Sequence, residues 1–499
     1  MRDIISRRAF LTGSAAALGL VALPACANAP EQSLRPVVRP AGGRAATVPA
    51  VEALIAKARV GGEVGFAVAD ASTGTLLEVR EPQRGLPPAS VVKALTAAYA
   101  LEHLGSAHRF QTHLVATGPI QNGILSGDLV LAGGGDPTLD TNGLADMAAS
   151  LKAAGVRELR GRFLVWGGAL PYAREIDAEQ PDHVGYNPAI SGLSLNFNRV
   201  HFEWKRSGQG YAVTMDARSD RHRPDVRVAR MSVVARNLPV YTYSQSQGSD
   251  DWTVAQSALG NGGSRWLPVR RPEIYAGEVF RTFASAQGIR LPQEEETRNL
   301  PAGSVIVRHQ SEPLTVILRD MLRYSTNAVA EMVGLAATQA RGVRPGGLSA
   351  SAAEMNRWAS ATLGMSSPAL VDHSGLGDRS RLAAADMVSA LVRVQQQGVL
   401  PGLLRDFAMR DQNGRPASGH PVKVRAKTGT LNFVSGLAGY LTRDSGKPLA
   451  FAIFVADTGR RAGIPREERE RPAGAQDWNR RAKTLQQDLI ERWGVIHST

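Results

Sequence analysis

Hydrophobic and polar positions along the chain follow two different periods, and the changes of period mark its elements. Val64-Gly65-Phe66-Ala67-Val68-Ala69 is an apolar run of strand length. Ala71-Ser72-Thr73-Gly74 supplies turn residues, and Thr75-Leu76-Leu77-Glu78-Val79 follows, which predicts a hairpin behind a short helix over residues 49–58. Ala94, Leu95, Ala98 and Tyr99 then recur at helical spacing towards Leu104. From about 110 to 300 the texture becomes short β-like runs between glycine-rich turns, such as Asp128-Leu129-Val130-Leu131. Helical spacing returns over residues 274–280 and 313–322, and again in a helix opened by Ser325-Thr326-Asn327. Late in the chain Lys423-Val424-Arg425-Ala426-Lys427 reads as a strand. Two more strands, over residues 434–441 and 449–455, are joined through Asp444-Ser445-Gly446. An amphipathic helix over residues 477–493 carries Leu485, Leu489 and Trp493 on its apolar side.

The early hairpin lacks partners in its own neighbourhood, and the late strands with the terminal helix can supply them. This predicts one α/β domain made from both chain ends, residues 49–110 and 300–499, with residues 111–299 as a β-rich insertion of one or two subdomains. Within the insertion, Gly133-Gly134-Gly135-Asp136-Pro137-Thr138 lacks the lysine and hydroxyl continuation of a phosphate loop and reads as a tight turn. Ser194-Leu195-Asn196 lies in an alternating run with Leu193 and Phe197 and reads as a strand.

The N-terminus reads as an address. Ser6-Arg7-Arg8-Ala9-Phe10-Leu11 is a twin-arginine pattern, followed by a small-residue apolar run and Pro24-Ala25-Cys26-Ala27-Asn28-Ala29. Residues 1–29 are therefore expected to be an export signal and residues 30–48, rich in Pro, Arg and Ala, a linker. Such an address predicts a periplasmic protein with no membrane span in its mature chain. Cys26 is the only cysteine and sits at the processing region, so the mature fold has no disulfide; lipid attachment at Cys26 is the less favoured alternative. A net charge of +13 argues for attraction to anionic surfaces, but no basic run is interleaved with aromatics, and no nucleic-acid partner is expected.

The candidate chemistry begins at Pro87-Pro88-Ala89-Ser90-Val91-Val92-Lys93, a turn entering a helix with a serine and a lysine three apart on one face. Taken alone, that pair could be a helix cap and a solvated lysine. Ser325-Thr326-Asn327 and Lys427-Thr428-Gly429 follow in order, and together the three stretches form a nucleophile with its accessory groups. A serine hydroxyl needs a base within hydrogen-bond reach, and a lysine serves only when kept neutral. Ser90 is thus the expected nucleophile and Lys93 its base. Ser325 is expected to carry a proton to a leaving amine, and Asn327 to hold Lys93 or a substrate amide. Lys427 is expected to be a fixed positive charge for a substrate carboxylate, with Thr428 as a hydroxyl donor and Gly429 allowing close approach. The chemistry asks for no metal and no cofactor.

This order of motifs resembles the penicillin-binding proteins and β-lactamases. The 235 residues separating Ser90 from Ser325 resemble the class C low-molecular-mass penicillin-binding proteins, the D-alanyl-D-alanine carboxypeptidase/endopeptidases. Gly134-Gly135-Asp136-Pro137-Thr138-Leu139 and Asp372-His373-Ser374-Gly375-Leu376 are similar to that family too, although His373 stands where a glycine is expected. The resemblance implies an antiparallel sheet with helices on both faces and a peptidase acting on peptidoglycan stem peptides through an acyl-serine. It also implies acylation by β-lactams and an oxyanion hole that includes Thr430. A serine β-lactamase and a non-catalytic envelope-binding protein of the same fold are the alternatives. His373 is not expected to take part in the chemistry, because Lys93 already fills the base role.

Overall fold

A computed structural model describes residues 48–497 except Gln247, Gln412, Asn413, Ser418, Asp444 and Ser445. The expected export signal, Cys26 and the linker to residue 47 lie outside the described residues, as does part of the turn at Asp444. Six antiparallel strands form the main sheet in the order Arg405–Asp406, Val422–Leu431, Val434–Arg443, Leu449–Ala456, Glu63–Asp70, Leu76–Arg80. The register Val68↔Phe451 joins the two ends of the chain, as the unpartnered hairpin required.

Period-two alternation in the central strands serves two different cores. Phe66, Val68, Phe451, Ile453 and Val455 face the terminal helix Ala475–Ile496, packing with Trp478, Leu485, Leu489 and Trp493. Ala67, Ala69, Ala438, Ala450 and Ala452 face the other way, towards Val91, Leu95 and Leu391. On that face the helix Ala384–Gln397 packs on the strands Leu449–Ala456 and Glu63–Asp70, where side chains that end at Cβ leave it room, and the turn Ala89–Val91 packs directly against the strands Val422–Leu431 and Val434–Arg443.

The intervening segment pairs its strands mainly among themselves. A five-stranded sheet runs Glu294–Glu296, Phe163–Trp166, Leu129–Gly133, Gln111–Ala116, Ser304–Gln310. The helices Thr141–Ala153 and Pro272–Ala286 contribute Leu144, Met147, Tyr275 and Phe280 to its core. Because Ser304–Gln310 pairs with Gln111–Ala116, this sheet closes beyond the boundary expected at residue 299. Ser194-Leu195-Asn196 is not a strand: Asn196, Phe197 and Asn198 take left-handed φ values of 50, 59 and 54°. The cause is local. The Asn198 side chain accepts from the Leu195 N–H and Asn196 donates to Thr141 Oγ1, so side-chain bonds replace the strand ladder. No described helix is long and apolar enough to cross a membrane.

Trp493 is fully buried between the rings of Phe66 and Phe451, 5.5 and 6.0 Å away by centroid, and its indole N–H donates to Glu78. Trp493→Ala should therefore cost about 3–5 kcal/mol, read as a lowered melting temperature and denaturant midpoint. A midpoint within experimental scatter of the parent would contradict this account of the core.

Candidate active site

Ser90 sits in a short 3₁₀ turn, Ala89–Val91, that feeds the helix Val92–Leu104, and it makes no capping bond to that helix. The preceding Ala89 has φ +48°, a left-handed conformation costing a non-glycine residue about 1–2 kcal/mol. What holds the turn is the convergence of two other backbones on it. A Cβ at Gly375, itself at φ +76°, would fall 1.8 Å from the Ala89 carbonyl oxygen. One at Gly429 would fall 2.7 Å from the Pro88 carbonyl oxygen and 3.0 Å from the Ser90 nitrogen. The Lys427 strand therefore lies directly against the Ser90 turn.

Lys93, fully buried, donates from Nζ to Ser90 Oγ at 2.9 Å, to Asn327 Oδ1 at 2.7 Å and to the Ser374 carbonyl at 2.7 Å. Two of these partners are acceptors only, so they fix two N–H bonds; in the neutral amine the lone pair is left aimed at Ser90. Burial lowers the Lys93 pKa from 10.5 to about 7, against the pull of Asp372 and Glu331. That drop disfavours the ammonium form by about 5 kcal/mol, so desolvation wins over attraction.

Ser325 is the left-handed cap, φ +60°, that ends the helix Leu314–Tyr324, and Asn327 opens the next helix, Asn327–Ala340. Lys427 Nζ donates to Ser325 Oγ at 3.0 Å and to the Thr428 carbonyl at 2.7 Å. The sequence expectation at Lys427 is a fixed cation, and its surroundings work against that charge: burial, then the nearby Lys93 and Arg405, push its pKa down to about 6. An arriving carboxylate would favour the charged form.

Sequence reasoning gave no role to the groups that hold this arrangement. Asp372 accepts the Gly375 and Gly377 N–H groups, both at 2.6 Å, and Glu331 accepts the His373 N–H at 3.1 Å. Together they set the loop whose Ser374 carbonyl grips Lys93. Both acids are buried, and burial raises both pKa values, Glu331 to about 8. Glu331 lies four residues after Asn327, on the same helix face, a spacing that could have flagged it. His373 is buried, bonds Ser351 Oγ through Nε2 at 2.8 Å and is kept neutral by burial, its pKa pushed down to about 3. It packs beside Gly334 and does not line the cleft.

The cleft itself encloses about 290 Å³ and brings Ser90, Ser325, Asn327 and Thr430 together, with Lys93 and Lys427 buried behind its walls. Thr428 and Gly429 line an adjoining pocket. Among the described residues no strand pairs with the outer edge of Lys427–Leu431, because Arg405–Asp406 covers only Arg425 and Ala426. An extended peptide could pair there. Tyr186, Gln180, Arg461, Arg469 and Glu470 complete the rim. Asn327 Nδ2 also donates to the Tyr186 carbonyl at 2.9 Å, which ties the inserted segment to the lysine centre.

The family model described as the D-Ala-D-Ala carboxypeptidase 3 (S13) family matches residues 47–473. The D-alanyl-D-alanine carboxypeptidase of Actinomadura sp. (strain R39) is 30% identical over 78% of this chain and 77% of its own. The D-alanyl-D-alanine carboxypeptidase DacB of Haemophilus influenzae is 23% identical over 81% and 88% respectively. The crystal structure of penicillin binding protein 4 (dacB) from Haemophilus influenzae shares the fold, with a TM-score of 0.72 at 20% identity, covering 89% of this chain and 99% of that one.

Lys93 must be neutral to accept a proton, so the second-order rate of Ser90 acylation should rise with pH through about 7 and level off above it. Below that point it should fall about tenfold per pH unit. A rate that is flat between pH 5.5 and 8.5, followed by mass spectrometry of the acylated Ser90 peptide, would remove Lys93 from the base role.

Proposed function

The chain belongs to the D-Ala-D-Ala carboxypeptidase 3 (S13) family and is by that membership a serine-type D-Ala-D-Ala carboxypeptidase; from this premise we propose that its chemistry runs through an acyl intermediate on Ser90. The observation that carries the reading is the Lys93 amine, buried and held by two carbonyl acceptors with its third contact on Ser90 Oγ.

The substrate is a peptidoglycan stem peptide ending in D-Ala-D-Ala, laid along the open edge of Lys427–Leu431. Its terminal carboxylate lies by Lys427, Thr428 and Thr430, and it raises the Lys427 pKa so that the ammonium forms. Lys93 takes the Ser90 proton as Oγ attacks the penultimate carbonyl carbon. The oxyanion is held by the backbone N–H groups of Ser90 and Thr430. As the C–N bond breaks, Ser325 gives its proton to the departing amine and recovers one from Lys427. The acyl-enzyme then carries a protonated Lys93 and a neutral Lys427. In deacylation the roles reverse: Lys427 takes a proton from the attacking water through Ser325, and Lys93 returns one to Ser90. Charge balances over the cycle, which is why two buried lysines of lowered pKa suit it.

Cross-linked peptides, cleaved as by an endopeptidase, are further substrates under this reading, and β-lactams acylate the same serine. A β-lactamase would need a base for the deacylating water. Glu470 is the only carboxylate lining the cleft among the described residues. His183 and Arg265 hold its pKa at about 2, so it is poorly suited to that task. The twin-arginine pattern fits a periplasmic site of action, where the substrate lies.

Labelling with fluorescent penicillin and chasing for hours, alongside release of D-alanine from a pentapeptide, tests the reading. Stable label with D-alanine release supports it; rapid loss of label would indicate a lactamase, and no label a binding protein. Lys93→Arg, which cannot deprotonate, should lower acylation by at least about 100-fold, with a lowered melting temperature because a permanent charge then sits in a fully buried site. Substantial acylation by that variant would require another base.

A further inference from the structure

Beyond Thr428 and Thr430 the cleft adjoins a pocket of about 250 Å³, set between the open strand edge, the segment over residues 405–410 and the terminal helix. Its chemistry is one-sided. Arg405, Arg410 and Lys483 line it, and no aspartate or glutamate does. Among the described residues, Arg405 and Lys483 have no hydrogen-bond or ion-pair partner, and Arg410 spends one N–H on the Gly414 carbonyl. Two further polar atoms are buried and unsatisfied in the same wall: Gln486 Nε2 and Ser435 Oγ, on side chains 2% and 1% exposed. A buried donor without an acceptor costs about 1–3 kcal/mol. Here two lie beside unpaired cations.

The electrostatics point the same way. Burial and the neighbouring Arg410 both lower the Lys483 pKa, so an anion in the pocket would stabilise the charged lysine. The Arg405 charge adds to the lowering of the Lys427 pKa. A wider groove of about 580 Å³ shares Arg410, Thr430 and Lys483 and continues along the terminal helix past Arg480.

In the proposed function, on which this inference rests, Lys427, Thr428 and Thr430 take the carboxylate next to the scissile bond. The cationic pocket therefore lies on the side from which the amine departs. We propose that it is a leaving-group subsite for a second carboxylate, so that departing peptides carrying further carboxylates, those of cross-linked stems, are bound in preference to departing free D-alanine. Gln486 and Ser435 would donate to that carboxylate, with Lys483 and Arg410 as its counter-charges.

The test uses two synthetic peptides with one acyl part ending in D-alanine. They differ only in the leaving residue: D-2-aminoadipate, or the same residue with its side-chain carboxylate converted to the amide. The parent protein should cleave the acid about five- to tenfold faster than the amide in kcat/KM, from two partly exposed charge contacts. Added salt should reduce that ratio. In the double variant Lys483→Gln, Arg410→Gln the ratio should approach one, and each single variant should fall between. Penicillin labelling of every variant reports a folded cleft, and the single variants stand in if the double one does not fold. Equal cleavage of acid and amide by the parent, or an unchanged ratio in labelled variants, overturns the subsite while leaving the hydrolase reading intact. Failure both to label Ser90 and to cleave either peptide overturns the hydrolase reading, and the subsite with it.

Discussion

The removal of the Lys93 amine from water is the constraint on which the catalytic centre depends. A lysine in solvent is charged at neutral pH and useless as a base; this one is fully buried and its pKa falls to about 7. The burial would be ruinous without partners, and three oxygen atoms supply them. Each oxygen comes from a different part of the chain: the turn at Ser90, the helix start at Asn327 and the loop at Ser374. The acids below that loop complete the balance. Glu331 and Asp372 are close enough to attract the ammonium form, yet burial raises their own pKa values too.

Geometry answers to the same need for close approach. Alanines on one face of the central strands leave room for the helix Ala384–Gln397. Gly375 and Gly429 then let two further backbones touch the Ser90 turn where any Cβ would collide. On the opposite face three large aromatic rings, Phe66, Phe451 and Trp493, pack together. The sheet thus carries a buried core on each face, and the catalytic turn lies on the alanine side.

Much of this was legible in the sequence. The hairpin, the Ser90 and Asn327 helices, the late strands and the terminal helix follow from periodicity, and residue types with order along the chain singled out Ser90, Lys93, Ser325, Asn327 and Lys427. What could not be read was how far Lys427 is buried, which lowers its pKa against the charge that its residue type suggests. Glu331 and Asp372 were invisible as a pair because 41 residues separate them. The left-handed turn at Asn196 was misread because its side-chain hydrogen bonds outcompete the alternation that suggested a strand. The sheet boundary near residue 300 was missed because pairing between Gln111–Ala116 and Ser304–Gln310 leaves no local mark.

The register that joins Glu63–Asp70 to Leu449–Ala456 also bears on how the molecule comes into being. The first core strand to leave the ribosome is almost wholly apolar and pairs locally with Leu76–Arg80 on one edge, while its other edge waits for a strand near the end of the chain. The intervening segment, whose strands pair chiefly with one another, is free to collapse during synthesis, while the catalytic half waits for the end of the chain. Loop-closure entropy makes such late, distant pairing slow. For much of its synthesis the nascent chain therefore exposes one open edge of an apolar hairpin, the kind of surface that chaperones bind. A chain that ends before Leu449–Ala456 lacks the strand that joins the Ser90 half to the rest of the main sheet.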